Sequence, residues 1–190
     1  MALKTRTTLA EFLALPETKP YLELMDGEVL EKTMPSRIHS RIVAYLVSVL
    51  WEYLARSQEG SVDTELRHIE DEEEWVFLPD VSVTRSERSR PPIESEGPET
   101  VLPDLAIEVL SPDDRPGRVQ RRIAHYMRSG VVLLWVIDPE AEKVTVWRQG
   151  DAPRDYAAPA RIPAAPVLAS FELDLQRMFD TLRSSNIPPA

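Results

Sequence analysis

Glu108 is the residue whose surroundings most need a chemical explanation. It stands between Ile107 and Val109 in the run LAIEVLSP, and a carboxylate inside an apolar strand is costly unless a cation or donors meet it. Strand alternation puts Glu108 on one face with Ala106 and Asp104, and Leu105, Ile107 and Val109 on the other. An arginine counter-ion would satisfy it, and so would a metal. A second acid bears on that choice. Asp80, in FLPDVSVT, follows a proline and opens its own short strand; taken alone it reads equally as a turn or cap aspartate. Two acids at the ends of adjacent strands can share one hard divalent cation through oxygen ligands. Such a cation neutralises a phosphodiester oxygen and lowers the pKa of bound water.

The elements that would carry these acids are legible in the pattern. A short helix is expected near residues 8–14 with Thr8 as its cap. Tyr21–Met25 and Glu28–Lys32 flank Asp26-Gly27, a two-residue hairpin signal. In SRIHSRIVAYLVSVLWEYLARS, Ile38, Ile42, Tyr45, Leu46, Val49 and Tyr53 recur at helical spacing and predict one buried stripe. Val62–Ile69 and Glu74–Leu78 read as antiparallel strands joined by the acidic turn Glu70–Glu73, and Asp80–Thr84 as a further strand. Asp104–Leu110 suits a strand buried on both faces. Arg115–Arg128 is then a helix with Val119, Ile123, Tyr126 and Met127 on one side. Leu133–Ile137 and Lys143–Arg148 are strands, and a short strand near Phe171 precedes a helix over about Asp174–Leu182. The 17 prolines concentrate around 91–103 and 153–166, where loops are expected. A strand–helix–strand sequence in mid-chain implies a crossover within a mixed sheet, hence an α/β or α+β fold.

At 190 residues the chain fits one domain, 1–190, with room for a core. The absence of cysteine excludes disulfides and thiolate metal sites and makes a cytoplasmic location the default. No apolar stretch approaches a membrane span, and the N-terminus lacks the apolar core of a secretory signal. The net charge of −10, from 22 Lys+Arg against 32 Asp+Glu, counts against nonspecific coating of nucleic acid. It does not exclude a nuclease whose acids are held for metal. Three histidines with no ligand-spaced pair argue against zinc, and Trp135 and Trp147, among apolar strand neighbours, read as core.

The stretches YLELMDGEVLEKTMPSRIHSRI, PDVSV, LAIEVLSPDD and HYMRSGVVLLWVIDP, in that order, resemble the Uma-two family of restriction-endonuclease-like proteins, over about residues 8–180. That family is assigned to the PD-(D/E)XK nuclease superfamily. The resemblance therefore implies a restriction-endonuclease-like mixed β-sheet flanked by helices, a Mg²⁺-dependent site (Mn²⁺ also possible) and DNA as substrate. It implies Asp80 as the motif aspartate, Glu108 as the second acid and the main-chain carbonyl of Val109 as a further metal ligand. It makes a homodimer plausible. Two more residues match the family pattern: Glu23, which could approach the metal or be an exposed strand acid, and His39, which could contact phosphate or water or be a satisfied core histidine.

One position departs from the pattern. The superfamily places lysine two residues after the second acid, where this chain has Leu110; the family supplies it instead four residues before the tyrosine, where this chain has Arg122. A guanidinium stabilises phosphate charge as well as an ammonium does, but it exchanges no proton near neutral pH. Arg122 lies beside the apolar stripe of its helix, with Arg115 and Arg118 on the same flank and Arg121 towards solvent. It could act on phosphate or simply neutralise Glu108. Asp104 shares the face of Glu108 but sits at the strand entrance. The two readings are a metal-dependent endonuclease and a catalytically degenerate nuclease fold serving as a binding or dimer module.

Overall fold

The computed structural model describes residues 6–70, 74–89 and 97–183. The chain runs α1 (Leu9–Leu13), β1 (Leu22–Met25), β2 (Glu28–Glu31), α2 (Arg37–Ser57), β3 (Gly60–Asp63), β4 (His68–Glu70), β5 (Trp75–Phe77), β6 (Val81–Arg85) and β7 (Leu105–Val109). It continues through α3 (Pro116–Arg128), β8 (Leu133–Asp138), β9 (Lys143–Arg148), β10 (Arg154–Ala157), β11 (Arg161–Pro163), β12 (Glu172–Asp174) and α4 (Leu175–Arg183).

A six-stranded sheet, ordered β10-β9-β8-β7-β6-β3, forms the centre, and a four-stranded sheet, β2-β1-β5-β4, lies beside it. Within the larger sheet β7 and β8 are parallel and joined through α3, while the other pairings are antiparallel. The alternation of β7 sets the layers. Leu105, Ile107 and Val109 pack with α2 and α4 on one face; Ala106 packs with Ile123 and Tyr126 of α3 and with Phe77 on the other. The expected mixed sheet flanked by helices is therefore the architecture found. Among the described residues, no helix is long and apolar enough to cross a membrane.

Local chemistry accounts for the elements nearest the site. Thr8 caps α1 reciprocally with Glu11. Asp26 and Gly27 both take positive φ, 53° and 74°, the geometry a tight hairpin turn requires, so β1 and β2 pair in register Glu23↔Leu30. Ser36 caps α2 by accepting from the His39 amide at 3.1 Å, which fixes His39 in the first turn.

Three expectations are corrected. Val62–Ile69 is two strands: β3 pairs with β6 in the large sheet, and β4 pairs with β5 in the small one. The chain changes sheet between them, with Glu65 at a φ of 49°. Ile38 is half exposed, and the buried stripe of α2 runs through Ile42, Tyr45, Leu46, Leu50 and Leu54 instead. The proline-rich segment 153–166 holds β10 and β11 rather than loop alone. The acidic turn Glu70–Glu73 falls largely outside the described residues.

Candidate functional site

Four segments meet where the two sheets adjoin. β1 brings Glu23, the residue after β2 brings Lys32, the first turn of α2 brings His39, and the β5–β6 junction brings Asp80. From the other side come Glu108 near the end of β7 and Arg122 and Tyr126 from α3. Glu108 and Tyr126 are four-fifths or more withdrawn from solvent, as are Glu23, Lys32, His39 and Asp80. A shallow cleft, continuous with solvent, opens onto Asp80, Glu108, Val109, Lys32, His39 and Arg122.

Each carboxylate oxygen has a donor. Asp80 Oδ2 accepts from the Val109 amide at 2.8 Å and lies 3.0 Å from His39 Nε2, while its Oδ1 lies 2.8 Å from Lys32 Nζ. The link to Val109 sets the Asp80 carboxylate beside the residue that follows Glu108. Glu108 Oε1 accepts from the Tyr126 hydroxyl at 2.5 Å, and its Oε2 from Arg122 Nη1 at 3.1 Å. Arg122 Nη2 donates to Glu23 Oε2 at 2.7 Å, and the Leu78 amide to Glu23 Oε1 at 3.3 Å. Arg122 thus clamps two carboxylates from different sheets.

The electrostatics follow from this crowding. Burial, and after it the negative charges of Asp80 and Glu23, push Glu108 up to about 7 despite Arg122 and Lys32. Burial would raise Asp80 as well, but the Lys32 ammonium and the His39 hydrogen bond hold it well below the usual carboxylate range. Lys32 is raised: burial opposes its charge, yet Asp80, Glu108 and Glu23 together outweigh burial. Tyr126 is raised far above a free phenol, by burial first and Glu108 second. Glu23, Asp80 and Glu108 outnumber Lys32 and Arg122, and Glu108, raised to about 7, answers that excess by holding a proton more readily.

A hard divalent ion fits the donor set in kind, since carboxylate and main-chain oxygens are what Mg²⁺ and Mn²⁺ prefer. Among the described residues, no cluster of three or more His, Asp or Glu side chains is arranged to hold a metal. Such an ion would rest on two carboxylates, main-chain oxygen and water.

The sequence-derived residues Glu23, His39, Asp80, Glu108, Val109 and Arg122 are all brought together here. The arginine counter-ion expected for Glu108 is Arg122 itself. Asp104 lies apart, fully buried against Arg85 and Arg88. Arg121 turns outward to Asp26 and Glu28, and Arg118 donates to the Glu31 carbonyl at 3.0 Å. Sequence reasoning missed Lys32 and the bond from Tyr126. The signal for Lys32 was strand parity with the buried Leu30; for Tyr126 it was a phenol, whose hydroxyl needs a partner, on a buried stripe.

The Tyr126 bond is open to direct measurement. Tyr126→Phe keeps the ring packed on Phe77 and removes only the hydroxyl that meets Glu108. A loss of about 2 kcal/mol is expected, read as a lower urea midpoint at unchanged m; an unchanged midpoint would mean that the hydroxyl contributes nothing to Glu108.

A mixed sheet with an aspartate at the entry of one strand, an acid inside the next and a helix closing over both defines the restriction-endonuclease-like class of α/β proteins. Within that class the chain belongs to the Uma2 family, described as "Putative restriction endonuclease", whose sequence profile matches residues 9–176. Its fold is similar to a crystal structure described as "a putative nuclease belonging to DUF820", from Anabaena variabilis. The two are 31% identical with a TM-score of 0.84, over 92% of this chain and 98% of the other. No curated protein matches the chain in sequence.

Proposed function

We propose that this protein is a metal-dependent endonuclease that hydrolyses DNA phosphodiester bonds. The observation that carries the reading is the convergence of Asp80 and Glu108, from neighbouring strands of the large sheet, on one solvent-facing cleft. Asp80 and Glu108, with the main-chain carbonyl of Val109, would hold Mg²⁺ or Mn²⁺. The bound ion would neutralise a phosphate oxygen and acidify an attacking water.

The chain's own residues prepare that site. His39 and the Val109 amide orient Asp80. Arg122 and Tyr126 orient Glu108, and Glu23 anchors Arg122 from the opposite sheet. These are positioning roles: they fix the two carboxylates that border the cleft. The net charge of −10 means that DNA must be met by local cations, so binding should weaken with salt.

A second reading is favoured by one observation: all six oxygens of Glu23, Asp80 and Glu108 already have internal donors. A cluster so satisfied can serve as a structural core in a catalytically degenerate binding module or homodimer. Exposed Trp51 on α2 and Met34 just before it offer apolar surface for self-association.

The readings separate in one experiment. Supercoiled plasmid is incubated with wild type and Asp80→Ala in Mg²⁺ or Mn²⁺. The nuclease reading expects wild-type nicking that falls at least about hundredfold in the variant, the scale of lost electrostatic stabilisation. Equal rates in the two proteins, or no cleavage by wild type, would remove it.

A further inference from the structure

Lys32 follows β2 directly, where alternation puts it on the side of the buried Leu30 rather than the exposed Glu31. Its side chain is only 10% exposed, and Nζ lies 2.8 Å from Asp80 Oδ1 and 2.5 Å from the Leu78 carbonyl oxygen. An ammonium carries three N–H donors. Those two contacts use two of them, and the head group borders the cleft shared with Glu108, Val109, Ser111 and Asp114.

Burying a lysine is expensive, and Asp80 needs it at one oxygen only. The Val109 amide and His39 already serve the other oxygen of that carboxylate. Arg122, the residue standing where the family resemblance expects lysine, gives one N–H of each terminal nitrogen to Glu108 and Glu23, which holds its plane between the two sheets. A second cation, from another element, borders the same cleft. Lys32 is the lysine that lines the cleft.

Resting on the nuclease reading above, we propose that Lys32 is a catalytic residue whose ammonium contacts a non-bridging oxygen of the scissile phosphate. In that step a water oxygen bonds to phosphorus and the phosphorus–oxygen bond to the leaving strand breaks. The attacking water loses one proton to solvent and the departing alkoxide gains one from solvent. Lys32 keeps its protons throughout and stabilises the charge on the phosphate oxygens. Arg122 meanwhile holds Glu108 and Glu23.

The test is steady-state cleavage of plasmid DNA with Mn²⁺, together with calorimetric titration of Mn²⁺ into the metal-free protein. Lys32→Met should lower kcat at least about hundredfold, with KM and the Mn²⁺ dissociation constant within about threefold of wild type. A residue that merely held Asp80 in place would weaken Mn²⁺ binding in step with kcat, and that result would overturn the proposal. So would a kcat within about threefold of wild type. Should Lys32→Met fail to fold, the absence of cysteine from the chain supplies a second route. Lys32→Cys is alkylated in denaturant with 2-bromoethylamine, which rebuilds an ammonium of lysine length at that one position, and is then refolded. Recovery of at least about tenfold over the iodoacetamide-treated control, at matched Mn²⁺ affinity, supports the role; a folded aminoethylated protein with no gain overturns it. Wild type that cuts no substrate would defeat the nuclease reading itself, whereas an active wild type with an equally active Lys32→Met would defeat only the assignment of Lys32.

Discussion

Replacing Arg122 with alanine is expected to cost about 3–5 kcal/mol of folding stability, because it leaves buried carboxylates without their shared cation. The magnitude follows from what Arg122 holds. Its side chain is 11% exposed, and its partners Glu23 and Glu108 are 1% and 8% exposed. One guanidinium joins β1 of the small sheet to β7 of the large one, so its loss also unties the two sheets. Arg122→Lys should recover only part of the loss, since a single ammonium lacks the planar fork that reaches two carboxylates at once. Arg122→Met combined with Glu23→Gln and Glu108→Gln should recover most of it, because no buried charge then remains unpaired. Urea denaturation at pH 7.5 reads all three. An Arg122→Ala variant within about 1 kcal/mol of wild type would show that water reaches these carboxylates and that the clamp is ornamental. Against a typical total of about 5–15 kcal/mol, the expected loss is large enough to leave the fold marginal.

The same clamp explains what the sequence could and could not disclose. Glu108 was legible because strand parity is a local property: five consecutive residues suffice to put it opposite Leu105, Ile107 and Val109. The turn at Asp26-Gly27 and the core face of α3 were legible for the same reason. Lys32 was not, because a lysine at the end of an edge strand is ordinarily solvated, and only its distant partners Asp80 and Leu78 make burial tolerable. Its parity with Leu30 was visible, but parity says which side a residue takes and not what waits there. Arg122 stood between two readings, phosphate contact and counter-ion. Neither could be preferred until the crossover through α3 and the fold of β1 placed Glu23 within its reach.

The strands missed or merged have a parallel cause. β10 presents Arg154, Asp155 and Ala157 to solvent, so no apolar alternation marks it, and its pairing is supplied by β9. β11 is three residues long and ends in Pro163, which an edge position tolerates. Val62 and Ile69 looked like two ends of one strand because both are apolar. The residues between them carry the chain from one sheet to the other, and sheet membership depends on partners, not on local sequence.

Acid should destabilise the protein by about 4 kcal/mol between pH 6.5 and pH 4, an order set by proton linkage. Two histidines drive this, and both lie behind the site, on the small-sheet side of α3. His125 stacks on Trp75 with ring centroids 3.8 Å apart. Burial first, and then the charge of Arg128, pull it from 6.5 down to about 3; Glu70, 3.5 Å away at the limit of an ion pair, does not offset this. His68 is drawn down to about 4, by burial against weaker opposition from the Val101 carbonyl and Glu99. Its Nδ1 lies 3.0 Å from the Val101 oxygen and so carries the hydrogen, which leaves Nε2 buried without a partner among the described residues. As pH falls through 6.5 the unfolded chain takes up two protons at these residues that the native state refuses, so stability falls with pH. Glu108 acts in the opposite sense. Its native value near 7 lies above its unfolded value, so between about 7 and 4.5 the native state binds a proton that the unfolded chain does not. The net excess is one proton from pH 6.5 to 4.5, about 1.4 kcal/mol per pH unit, rising to two below that, with Asp80 adding to the loss below its ordinary range. His125→Phe retains the aromatic stack on Trp75 and removes one titrating ring. Its stability between pH 6.5 and 4.5 should be nearly flat, because His68 and Glu108 then cancel. Urea midpoints at half-unit pH intervals resolve the two curves. Wild-type stability that holds level or rises on acidification over that interval would mean that His68 and His125 accept protons in the folded state, and that the packing behind α3 is more open to water than their burial implies.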